Sequence, residues 1–106
     1  VQDVKRMSDE ISVVAILKAK PGCEAAVAAA MVAGIAPSRA EAGNRSYVPT
    51  RDQDDPQTLV FVERWASRQA FAEHLQTPHF KVLAATLETL LTEPPRMHLL
   101  EALPNP

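Results

Sequence analysis

The chain has 106 residues, 46% of them hydrophobic and 23% charged, the size and make-up of one globular domain with a single core. A formal net charge of −2 without any Lys/Arg cluster argues against nucleic acid or an anionic membrane as partner, and no apolar run is long enough to span a bilayer. Cys23 is the only cysteine, which excludes an intrachain disulfide and fits a reducing cytoplasm.

Residues 1–10 are polar and unpatterned and read as a disordered segment. Met7-Ser8-Asp9 has the form of a natural translation start, so Val1 to Arg6 stand apart from the domain. The domain itself is expected over residues 11–103, with 104–106 as a tail whose prolines lack the N–H a strand or helix needs. Ile11 to Lys20 is β-branched and aliphatic and reads as a central strand, stopped by Pro21-Gly22. From Cys23 to about Ala36 the chain is alanine-rich and helical, with Val27, Ala30, Met31, Gly34 and Ile35 on one stripe. Pro37 is expected to kink or end that helix, and Cys23 to be an ordinary helix residue.

Asn44 to Arg51 reads as a second strand, with Pro49 placing it at an edge or a bulge. Asp52-Gln53-Asp54-Asp55-Pro56 is a turn rather than an acidic site. Thr58 to Trp65 is the third strand, with Leu59, Phe61, Glu63 and Trp65 on one face and Val60, Val62 and Arg64 on the other. Ser67 can cap a short helix to about Leu75. Thr77 can cap the next, which opens with Pro78 and carries Phe80, Leu83, Ala84, Leu87, Leu90 and Leu91 on its apolar side until Pro94-Pro95. Met97 to Leu103 is the fourth strand. The order β-α-β-β-α-β, with the second helical element split, is the ferredoxin-like α+β pattern. Its helices cover one sheet face. Val60 and Val62 are left on the other, and a second copy packed sheet against sheet is the simplest cover.

These residues carry a resemblance. Val14-Ala15 with Lys20-Pro21-Gly22, Ser38-Arg39-Ala40-Glu41-Ala42-Gly43, Tyr47, Asp54-Asp55-Pro56, Glu63-Arg64-Trp65, and His74 followed by Thr77-Pro78-His79-Phe80 resemble, in this order and spacing, the antibiotic biosynthesis monooxygenase superfamily of the small quinol monooxygenase type. The resemblance runs from about Ile11 to Leu103 and implies a dimeric α+β barrel. It further implies oxidation of a small electron-rich aromatic, a quinol or phenol, by O2 without metal, flavin or other cofactor. Such a reaction needs a base to form the substrate anion, groups to hold it, and exclusion of bulk water.

His74 and His79 are the candidate bases. His79 lies in the first turn of a helix, whose dipole disfavours imidazolium. His74 is preferred as a cavity residue, because the resemblance sets it near the substrate. Trp65 could stack on a planar substrate or simply fill the core. Tyr47 could donate to a substrate oxygen or pack at an edge, and Phe61, Phe71 and Phe80 are the aromatics expected around the same space. Glu63, a carboxylate on an apolar face, must be paired or protonated, with Arg39 or Arg45 expected as its partner in a structural role; it could also orient a histidine. Four alternatives stand beside the oxygenase. His74, His79 and His98 could converge on a metal, although the helix break between the first two makes poor ligand spacing. Haem degradation in this superfamily uses a first-strand asparagine that Val14-Ala15-Ile16 lacks. An isomerase of the autoinducer-processing type has a similar His-x-x-Thr-Pro-His segment and would use His74, His79 and Lys81 on a phosphorylated substrate. A non-catalytic dimeric ligand-binding module is the fourth.

Overall fold

The computed structural model describes residues 9–104. The elements are β1 (Ile11–Lys18), α1 (Glu24–Ala33), α2 (Ile35–Arg39), β2 (Asn44–Arg51), β3 (Thr58–Trp65), α3 (Arg68–His74), α4 (Pro78–Glu88) and β4 (Arg96–Leu100). The strands form one antiparallel sheet in the order β2-β3-β1-β4, the α+β ferredoxin-like arrangement. Most of the expected N-terminal segment and the tail residues Asn105 and Pro106 lie outside the described residues.

Alternation sorts β1 and β3 into two faces. Val13, Ala15 and Leu17 of β1 and Leu59, Phe61, Glu63 and Trp65 of β3 are buried under the helices, where Val27, Met31, Leu83 and Leu87 meet them. Burying each such apolar side chain stabilises the fold by roughly 1.5–3 kcal/mol. The opposite face carries Val14, Ile16, Val48, Val60 and Val62, half-buried or exposed. β2 is an edge strand, as Pro49 requires, and its bulge lies at Asn44/Ser46 rather than at the proline.

Two helix boundaries differ from the sequence expectation. The first helix breaks at Gly34, not at Pro37; Pro37 is the third residue of α2, within the first turn, where an N–H has no partner to lose. Cys23 is the residue that precedes α1 rather than part of it. α4 stops at Thr89, five residues before Pro94. There the end of β1 takes over the chain: Lys20 N–H donates to the Leu90 carbonyl at 2.9 Å, Thr92 N–H donates to the Lys18 carbonyl at 2.8 Å, and Ala19 pairs with Leu91. Pro21-Gly22 makes the expected stop, with Gly22 at φ +86°, and the Asp52–Pro56 segment is a turn in which Asp52 Oδ1 accepts from the Asp54 and Asp55 N–H groups.

One tight contact sets where α3 meets the sheet. The Gly43 carbonyl accepts from Ala66 N–H at 2.8 Å, and a Cβ on Gly43 would stand 2.4 Å from Ala70 Cβ. Gly43→Ala is therefore expected to destabilise the fold by about 1–3 kcal/mol in urea unfolding, and Ala70→Gly in the same chain to recover part of that loss. Additive losses in the double variant would remove the contact as the cause.

Candidate active site

On the helix face of the sheet, Tyr47 of β2 pairs with Glu63 of β3, and Glu63 pairs with Val13 of β1. Glu63 is buried among apolar neighbours, and its partner is Trp65, two residues along the same face, whose Nε1–H donates to Glu63 Oε1 at 2.8 Å. Neither arginine reaches it, contrary to the sequence expectation. Arg39 donates twice to the Tyr47 carbonyl, at 3.2 and 2.9 Å, because β2 is an edge strand and leaves that carbonyl free, and Arg45 donates to the Ala42 carbonyl. Desolvation pushes the Glu63 carboxyl up to about 7; the Trp65 bond opposes this and the charge of Glu41 adds to it. Desolvation likewise pushes the Tyr47 phenol up to about 12, so it stays a donor.

The two histidines are joined by local chemistry that the sequence announces. Ser67 Oγ accepts from Ala70 N–H at 3.0 Å to start α3, which ends at His74. Thr77 then reverses the chain: its hydroxyl donates to the His74 carbonyl at 2.7 Å and accepts from Phe80 N–H at 3.2 Å, capping α4 with Pro78 at the first helical position. The two rings come to 5.8 Å, centre to centre.

Between them stands a residue to which the sequence reading gave no role. Glu41, in the connection between α2 and β2, accepts through a single oxygen, Oε2, from His74 Nδ1 and from His79 Nε2, each at 2.7 Å. An ionised carboxylate only accepts, so each ring carries hydrogen on the bonded nitrogen. In the neutral ring, which the lowered pKa favours, His74 Nε2 is then the nitrogen without hydrogen, and it has no hydrogen-bond partner among the described residues. The His74 ring is 2% exposed, tilted by 38° against Trp65 at 4.5 Å and edge-on to Phe80 at 5.2 Å. Burial lowers its pKa, and the Glu41 bond opposes that shift. Glu41 is 33 residues from His74 and 38 from His79 in the chain, so no local spacing could have joined them.

A cavity of about 480 Å³ lies between the sheet and α4. Tyr47, Phe61, Glu63, Phe71, His74 and Phe80 form its inner end, and among the described residues no Lys or Arg lines it. Trp65 is not in the lining; it is wholly buried behind His74 and supports that ring. His79 is also outside it, bordering a separate groove between α1 and α4 with Ala30, Gly34 and Val82. His98 pairs with Val14 on the opposite sheet face and cannot join the other two histidines. Glu41, His74 and His79 have donor atoms within 4.8 Å of one another and are the described residues that could hold a metal ion in this region.

A deep apolar cavity with a few convergent polar groups on a ferredoxin-like sheet marks a small-molecule-handling domain. The chain belongs to the antibiotic biosynthesis monooxygenase family, whose profile matches residues 10–86. It is 38% identical over 88 residues to "Putative monooxygenase Rv0793" of Mycobacterium tuberculosis, covering 83% of this chain and 86% of that one. The solved structure of Rv0793 superposes with a TM-score of 0.84, covering 91% of this chain and 97% of that one at 35% identity. "Uncharacterized protein sll1783" of Synechocystis is 34% identical over 93 residues, 88% of this chain; the chain spans only 63% of that relative's length. SnoaB from Streptomyces nogalater, described as a cofactor-independent oxygenase, shares the fold at a TM-score of 0.80 and 22% identity, over 92% of this chain and 97% of that one.

The buried carboxyl makes stability depend on pH. Between its ordinary value of 4.5 and about 7, folded Glu63 keeps a proton that the unfolded chain has released. Its contribution is therefore fully present below pH 4.5 and is lost as pH rises through 7. Lowering of the His74 pKa acts in the opposite sense, below its ordinary 6.5. Glu63→Gln keeps an acceptor for Trp65 and removes only the first effect. Urea unfolding of the two proteins is expected to show a stability difference that changes across pH 4.5–7 and is constant above it; a pH-independent difference would mean that Glu63 is ionised when folded.

Proposed function

We propose that this chain is a cofactor-independent monooxygenase that oxidises a small electron-rich aromatic, a quinol or phenol, with O2. The catalytic unit spans Ile11 to Leu103, acts as a homodimer and works in the reducing cytoplasm to which its lone cysteine is suited. The observation that carries the reading is His74: one nitrogen is held by Glu41, the other has no hydrogen-bond partner among the described residues, and the ring borders an apolar cavity. That nitrogen removes the hydroxyl proton of the substrate. The anion gives electrons to O2, a carbon–oxygen bond forms, and the O–O bond breaks as water leaves, with the ring as the only reductant. Tyr47 and protonated Glu63 donate to substrate oxygens, and Phe61, Phe71 and Phe80 flank the ring. Glu41 positions His74 and balances the imidazolium, and His79 holds Glu41 from the outer side.

Two observations favour this over the isomerase. Among the described residues no Lys or Arg lines the cavity, whereas a phosphorylated substrate needs several, and Lys81 is exposed and outside the lining. The family description and the name of the M. tuberculosis relative both point to monooxygenation, and the fold houses cofactor-independent oxygenation in SnoaB.

O2 uptake with a menadiol-type quinol in chelator-treated buffer tests the proposal. His74→Ala is expected to lower kcat/KM by about 10²–10⁴. Because the His74 pKa is lowered and the neutral ring is the active form, the acid limb of the wild-type profile is expected below pH 6.5. Unchanged turnover in His74→Ala would refute the base. Activity lost to the chelator and restored by a divalent ion would move the reading to a metal held by Glu41, His74 and His79.

The homodimer rests on the outer sheet face, where Val48, Val62 and Leu100 are each more than 40% exposed beside Val14, Ile16 and Val60. Sedimentation is expected to give twice the 11.6 kDa chain mass, and Val62→Asp to shift it to monomer. A wild-type monomer at micromolar concentration would end the dimer proposal.

A further inference from the structure

We infer that the substrate has two parts, a hydroxylated ring seated against His74 and a saturated aliphatic chain that runs along α4 to the cavity mouth. This deepens the function proposed above and rests on it. Size is the first ground. A cavity of about 150 Å³ already holds a benzene ring, and this one is about 480 Å³, so a one-ring or two-ring head leaves a large part of it empty.

The second ground is the way the lining is divided. Aromatic side chains and the buried hydrogen-bonding groups are confined to the end that holds Tyr47, Glu63, His74 and Phe80. Beyond them the walls are aliphatic: Ala15 and Leu17 from β1, and Leu83, Leu87 and Leu91 from α4 and its extension. Flat rings are matched by aromatic faces, and a flexible chain by branched aliphatic ones. Phe80 and Glu88 are separated by ~12 Å of helix, so this aliphatic trench is longer than a single ring.

The mouth supplies the third ground. It is formed by exposed residues, Glu88, Thr92, Glu93, Pro94, Pro95 and Met97, and the Glu93 carboxylate there is paired with Arg96 at 3.2 Å. Pro94, Pro95 and Met97 give this mouth an apolar side, and the chain leaves toward solvent over the Pro94-Pro95 segment.

The test is the affinity of the whole chain, measured without oxygen, for hydroquinone bearing a saturated chain lengthened two carbons at a time. Each methylene that enters the trench is expected to tighten binding about fourfold until the mouth is reached, after which the gain stops. Met97→Glu at the exposed mouth is expected to weaken the longest homologue at least tenfold. A flat dissociation constant across the series, with the bare ring still bound, would overturn the two-part substrate and leave the proposed function standing. Tighter binding by a three-ring phenol than by any alkyl homologue would also overturn it. Failure of every member, the bare ring included, would remove both.

Discussion

One carboxylate oxygen holds the working end of this protein together. Glu41 Oε2 receives hydrogen bonds from His74 and His79, and with them it ties the connection before β2 to the end of α3 and the start of α4. None of the three segments is fixed there by the sheet ladder. α3 is seven residues long, too short to hold its place by helix propensity. Bonds to a charged acceptor are shorter and stronger than neutral ones, and two of them converge here. The direction in which His74 offers its free nitrogen follows from that convergence. Rotation of the ring about its attachment would give up one of the two bonds to the Glu41 carboxylate.

The cavity exists because the same wall is polar only where its polar groups are answered. Burying Glu63, His74 and Tyr47 in an apolar space costs stability for each unmet group. Trp65 answers Glu63, Glu41 answers His74, and Glu63 takes up a proton near neutral pH instead of holding a buried charge. Two carboxyls near one site therefore differ in kind. Glu41, 16% exposed, accepts two N–H groups, while Glu63 is desolvated and pushed toward the acid form. One is suited to hold a cationic ring and the other to donate to an oxygen.

The parts of this arrangement that rest on neighbours in the chain were legible in the sequence. Alternation along Thr58–Trp65 sorted the faces of β3, Ser67 and Thr77 marked the caps, and Pro49 marked the edge strand. Boundaries set by tertiary pairing were not. Gly34 rather than Pro37 breaks the first helix, and the pull of Lys18 and Lys20 on Leu90 and Thr92 ends the last one before its prolines. The site was half legible. His74, Tyr47, Phe61, Phe71 and Phe80 meet around one cavity as their residue types suggested, but Trp65 stands behind it and His79 outside it. Glu41 stood among the family landmarks without a role, because an acid on a loop has no periodicity and its partners lie more than thirty residues away. The arginine expectation for Glu63 failed for a related reason: opposite charge was sought, whereas an indole N–H on the same face was two residues away.

β3 binds the two faces of the sheet into one problem. Val60 and Val62 face outward while Phe61 and Glu63 face the cavity, and the strand period of two allows no other sorting. A slip of one residue would carry Glu63 into the outer apolar face and put valine where the carboxyl now meets Trp65. The apolar outer face and the polar inner end are thus specified by one register, the pairing of Val62 with Val14 and of Glu63 with Val13. Trp65 lies on that same strand and packs, tilted, 4.5 Å from the His74 ring, so the register that sorts the outer face also places the support of the imidazole.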